Sequence, residues 1–168
     1  MGAYLTSTYI SSSVQLGAGM SLVEDKNFSG SSCTFSGLTG NYIYVAYVAG
    51  APAGAGGMTI RINNNSLATN YWRDEIYGSD VAVTGARAND NSIGSMSAAG
   101  VHVWEVTIGG DLYTNNVTYH VRNMDDNGAN TNLRLLTGIF GAVAVTSIGF
   151  FSDVAFNGRA MLYRLAPR

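Results

Sequence analysis

From residue 42 to the C-terminus the chain consists of short runs in which apolar and polar residues alternate, broken by Gly, Asn and Asp. Met58-Thr59-Ile60-Arg61-Ile62 places Met58, Ile60 and Ile62 on one face of a strand, because successive side chains on extended backbone point to opposite sides. Asn63-Asn64-Asn65-Ser66 then ends the run with turn-forming residues. Val101 to Ile108 repeats the pattern with Trp104, Val106 and Ile108 together, and Gly109-Gly110-Asp111 follows as a turn. Val117, Tyr119 and Val121 alternate with Thr118, His120 and Arg122, which predicts a hairpin with the preceding run. Tyr42 to Val48 is aromatic or aliphatic on both faces and reads as a strand covered on both sides. Shorter strands are expected at Leu133 to Leu136, Ala142 to Val145, Ser147 to Phe151 and Arg159 to Leu165.

A helical face would need apolar residues three and four apart over about ten positions, and no segment offers one. Residues 68–77 read as a short helix or turn. Many short strands joined by turns predict an all-β, antiparallel β-sandwich of the jelly-roll kind, since two packed sheet faces bury a core without helices. At 168 residues the chain suits one domain spanning 1–168. Ala49 to Gly57, rich in Gly and Ala, reads as a surface loop between the strands of Tyr42 and Met58. Met1 to Val23 has no charged side chain and interleaves Tyr4, Leu5, Tyr9 and Ile10 with Ser, Thr and Gly. It is either the first strand of the domain or, over residues 1–13, an arm that adds to a neighbour's sheet edge, with those four side chains as subunit or capsid contacts.

Charged residues make up 12% of the chain, against about 25% in an average soluble protein. Aromatic residues at 11% and a net charge of -2 exclude a disordered chain. Lys26 is the only lysine, which argues against nucleic acid as a partner, because phosphate backbones are bound by clustered Lys and Arg. Lysines also guard exposed sheet edges from pairing, so their scarcity implies edges closed within the fold or covered by partner chains. Cys33 is the single cysteine, which excludes an intrachain disulfide and a cysteine zinc site, and it reads as a small buried apolar side chain. The N-terminus lacks the basic start and apolar run of a secretory signal, and no stretch has the length and hydropathy of a membrane span.

Candidate chemistry is sparse. The two histidines, His102 and His120, lie within strand patterns away from any Gly-x-Ser-x-Gly nucleophile turn, so both read as structural. Asp125-Asp126-Asn127-Gly128 lacks the alternate spacing and closing Glu of a calcium loop and reads as a hairpin tip. Asp74, Glu75 and Asp80 lie near Tyr71, Trp72 and Tyr77, and this is the one cluster in which aromatic rings and carboxylates could hold a sugar. Its candidate glycan contacts are Tyr71, Trp72, Asp74 and Tyr77. No cofactor, metal or catalytic residue is expected.

Thr146-Ser147-Ile148-Gly149-Phe150-Phe151-Ser152, followed by Ala155 to Leu165, resembles the closing strand pair of phage virion proteins of jelly-roll or β-sandwich type. The resemblance spans residues 146–165 and implies an antiparallel pair with Ile148, Phe150 and Leu162 inward and a turn at Gly158. It further implies an assembly role in a virion, often as a trimer, without choosing the position. The compact domain with docking edges and no visible shaft segment favours a capsid decoration or cement protein on the virion surface, a homotrimer held to itself and to the major capsid or another virion protein. The alternative is a receptor- or carbohydrate-binding module, such as a tail-fibre head or spike domain, that binds a glycan.

Overall fold

The computed structural model describes residues 19–39, 42–54, 57–67, 70–79, 82–90, 92–93, 95–97, 100–110, 116–126, 131–141 and 144–165. Ten strands run through them: β1 (Met20–Ser36), β2 (Ile43–Pro52), β3 (Gly57–Ile62), β4 (Tyr71–Ser79), β5 (Ala82–Asp90), β6 (Ser95–Ser97), β7 (Val101–Gly110), β8 (Val117–Asp126), β9 (Thr131–Phe140) and β10 (Ser147–Leu165). All pairings are antiparallel, in the order β5-β4-β9-β8-β7-β2-β10-β3-β6, with β1 also paired to β10. The fold is all-β, as expected.

The two packed layers come from one continuous sheet that folds back on itself. β10 is the pivot: Ile148 to Ser152 pairs with β3, and Phe156 to Leu165 pairs with β2. Its other edge pairs with β1, whose register breaks between Gly30 and Ser32, opposite the point where β10 changes neighbour. Gly30 there has φ +126°, a conformation that side chains disfavour. The folded sheet brings β3 against β4, strands far apart in pairing order. The Tyr71 hydroxyl accepts from the Ile62 amide at 2.9 Å and faces the Asn65 carbonyl at 2.9 Å as a donor.

Alternation decides which faces meet. Met58, Ile60 and Ile62 of β3, Trp104, Val106 and Ile108 of β7, and Val117, Tyr119 and Val121 of β8 are all buried in one apolar core, as their spacing predicts. β7 and β8 form the predicted hairpin, with Val106 opposite Val121. β2 is covered on both faces at Tyr44, Val45, Ala46 and Val48. Cys33 is buried, and burial pushes its thiol pKa up.

Three expectations are corrected. Residues 71–79 form β4 instead of a helix or turn. Ala49 to Pro52 continues β2 instead of opening a loop, because Gly50 lies against Gly158 and the Phe156 ring where a side chain would not fit. Residues 147–165 are a single strand instead of a strand pair with a turn at Gly158: β10 finds its partners in β1, β2 and β3. Ile148, Phe150 and Leu162 do face the core. Tyr4, Leu5, Tyr9, Ile10 and the Asn127-Gly128 tip lie outside the described residues, although the strands flanking the tip pair in register from Asp126 opposite Thr131.

Candidate functional site

The outward face of β7, β8, β9, β4 and β5 carries the surface features that the core does not explain. Side chains directly opposite one another on neighbouring antiparallel strands share a face and touch, so the register fixes which residues lie together. One row runs Val103, Met124, Leu133, Gly78, Val83 across the five strands. The four side chains of that row are apolar and exposed. Beside it lie Leu135 and Ile76, directly opposite each other and also exposed, with the cross-strand pair Glu105 and Arg122 at their side. Val101 adds a further exposed apolar group at the start of β7.

Farther along the strands the face becomes polar. Thr107, His120, Thr137, Asp74 and Arg87 form the next parallel row, again one residue per strand. Asp74 Oδ1 accepts from Arg87 Nε at 2.6 Å, and this hydrogen bond lowers the carboxyl pKa and raises that of the guanidinium. The row beyond it holds Thr118, Ile139 and Trp72, with Trp72 opposite Ile139. Two open depressions of about 350 and 310 Å³ flank the polar row, and both are bordered by Asp74, His120 and Thr137. One extends to Ile76, Leu135, Glu105 and Arg122, the other to Trp72, Arg87, Thr118 and Ile139.

The structure divides the sequence-predicted glycan contacts between two faces. Trp72, 59% exposed, and Asp74 point outward. Tyr71 is wholly buried and packs on Phe140, with ring centroids 4.7 Å apart. Tyr77 also points inward, donating to Asn132 Oδ1 at 2.8 Å while Arg134 lies over its ring. Glu75 is inward as well, in ion pairs with Arg73 at 3.6 Å and Arg134 at 3.4 Å. Alternation along a strand produces this split, which a helix or turn over the same residues would not.

The sequence reading did not join Thr118, His120, Thr137 and Arg87 to Trp72. Alternation already placed Thr118 and His120 opposite the core-facing residues of β8. The missing information was the strand order, which inserts β9 between β8 and β4. The two histidines differ: His120 is exposed in this row, whereas His102 is buried with its ring 6.2 Å from that of Phe156. His120 and Asp74 sit two strands apart with Thr137 between them, and Asp74 is held by Arg87, so the row is a set of hydrogen-bonding groups and not a relay. Among the described residues no three His, Cys, Asp or Glu side chains gather to hold a metal, and no helix is long and apolar enough to cross a membrane.

No family model matches the chain, and no curated protein matches it.

Proposed function

We propose that the chain is a non-catalytic structural subunit of a viral particle, a capsid decoration protein that self-associates as a homotrimer and stabilises the shell by protein contacts. The observation that carries this reading is the exposed apolar band of Val103, Met124, Leu133 and Val83, widened by Leu135, Ile76 and Val101. Fully burying one such side chain is worth about 1.5–3 kcal/mol, so a contiguous band left in water is a strong drive to associate. The occupant it commits to is a second copy of the chain.

Two further observations support the reading. β5 ends the pairing order, and its sequence from Ala82 to Asp90 contains no lysine and one arginine, Arg87. Such an edge has no lysine to block pairing with another chain; its charges are Arg87, bonded to Asp74, and the terminal Asp90. The sequence likeness of residues 146–165 to phage virion proteins supplies the particle context, although residues 147–165 form one strand and not the pair that the likeness implied.

Light scattering of the full chain over a dilution series, beside the double variant Met124→Glu/Leu133→Glu, tests the proposal. The expected result is a trimer for the natural sequence and a monomer of unchanged far-UV circular dichroism for the variant. A natural chain that stays monomeric at every concentration overturns self-association through this face.

A further inference from the structure

The polar half of the same face has a composition that protein packing does not require. Trp72 is the most exposed aromatic ring on it, 59% accessible although Ile139 stands directly opposite it on β9. An exposed indole presents a flat apolar face with a polar N–H at its edge, which suits stacking by a flat, partly apolar ligand. Next to it the Arg87–Asp74–Thr137–His120 row offers a carboxylate, a guanidinium, a hydroxyl and an imidazole, with Thr118 supplying a second hydroxyl.

Charge bears on the class of ligand. The charged side chains that line the two depressions are Asp74, Glu75, Glu105, Arg73, Arg87 and Arg122, three acids and three bases. Asp74 is already bonded to Arg87, and Glu105 stands opposite Arg122. A balanced set offers neither an anion nor a cation a net attraction. It suits a neutral ligand with many hydroxyl groups and one apolar face. The depressions, at about 350 and 310 Å³, reach the lower end of the range of roughly 300–1,000 Å³ for small-molecule sites.

We infer that the Trp72 groove is a binding site for a neutral saccharide, with a sugar ring stacked on the Trp72 indole and its hydroxyls bonded to Asp74, His120, Thr137 and Thr118. Arg87 bonds both Asp74 oxygens, at 2.6 and 3.4 Å, and their remaining lone pairs are open to accept from sugar hydroxyls. Thr137 and Thr118 are short, so a ring can lie over β9 and β8 between Trp72 and His120. The Trp72 and Thr118 row of the groove lies two rows from Ile76 and Leu135 of the apolar band.

Saturation-transfer NMR and calorimetric titration of the full chain with trisaccharides ending in glucose, galactose or N-acetylglucosamine, and with a sialylated trisaccharide for comparison, test it. The expected result is binding of at least one neutral trisaccharide in preference to the sialylated one. Trp72→Ala should weaken that binding at least tenfold, Trp72→Phe less, and Asp74→Asn several-fold, all with unchanged circular dichroism and melting temperature. Failure of every neutral trisaccharide to bind at millimolar concentration overturns the inference, as does unaltered affinity in Trp72→Ala.

Discussion

The hydroxyl of Tyr119 on β8 donates to the main-chain carbonyl of Trp72 on β4 over 2.9 Å, although β9 lies between the two strands. Gly138 makes this possible. It stands opposite Tyr119 in the β8–β9 register, and a Cβ at residue 138 would fall on the Tyr119 hydroxyl and the Trp72 carbonyl, with Tyr119 Cζ at 2.5 Å. The tyrosine thus anchors β4 from beneath at the residue whose indole faces outward.

Gly138→Ala should therefore destabilise the fold by about 1–3 kcal/mol, the usual cost of overpacking a tight site. Tyr119→Phe keeps the ring and removes the hydroxyl, so its cost should be nearer 1 kcal/mol. Urea denaturation measures both. If the hydroxyl also positions Trp72, the phenylalanine variant will change the indole's accessibility to acrylamide quenching, whereas a purely structural hydroxyl leaves it unaltered.

Gly50 and Gly158 meet across the β2–β10 pair, and each occupies the space a methyl group on the other would need. A Cβ on Gly50 would lie 2.6 Å from Phe156 Cε1 and 2.8 Å from Gly158 Cα, while one on Gly158 would lie 3.1 Å from Gly50 Cα. Either alanine substitution should cost about 1–3 kcal/mol. Because the two share one gap, the double variant should depart from the sum of the singles by more than about 0.5 kcal/mol, the limit for independent sites. Additive losses in denaturant melts would show that the two backbones do not constrain each other.

These glycines also explain which parts of the fold were legible in the sequence. β3, β7 and β8 bury one face and expose the other, so their alternation is visible as a string. The Ala49–Pro52 end of β2 and the middle of β10 carry small or turn-like residues because two backbones approach there, and in the sequence this is indistinguishable from a loop. β4 was hidden for another reason. Its inward face holds Arg73 and Glu75 in an ion-pair set with Arg134, so neither face is apolar throughout and the period of two is lost. β5 pairs only with β4 along the described sheet and is exposed from Ala82 to Arg87, leaving no burial pattern to read. Trp72 and Asp74 could be picked out as a pair, but His120 and Thr137 join them only through strand order.

Asp25 and Arg159 link β1 to β10 by two hydrogen bonds, Nε to Oδ1 at 2.9 Å and Nη2 to Oδ2 at 2.6 Å. The Arg159 hydrogen bonds hold the Asp25 carboxyl below its ordinary pKa. A depressed folded-state pKa contributes stability that is present above the unfolded value near 3.8 and is lost as pH falls through the lower, folded value. The pair is partly open to solvent, so Asp25→Asn should cost under about 1 kcal/mol at neutral pH. The same variant should fall off less steeply than the natural chain below pH 4, which acid titration of the melting temperature would reveal.

At the alkaline end the controlling group is Tyr71, buried between β3 and β4 with its hydroxyl bonded to the Ile62 amide, and burial pushes its pKa from 10.0 up to about 12. The unfolded chain loses this proton near pH 10, while the folded chain keeps it until about pH 12. Folding then binds a proton in that window, so stability is whole below pH 10 and falls as pH rises toward 12. The full loss is on the order of 2–3 kcal/mol, from about 1.4 kcal/mol per unit. Tyr71→Phe removes the titrating group and should flatten this part of the alkaline decline. It also leaves the Ile62 amide and the Asn65 carbonyl without the hydroxyl, at a cost of about 1–3 kcal/mol at neutral pH. Tyr47 and Tyr163, whose pKa values burial also raises, will keep a weaker decline in the variant. Denaturant titrations of both proteins at intervals from pH 8 to 11 separate the two effects, and equal alkaline slopes would show that Tyr71 ionises as readily folded as unfolded.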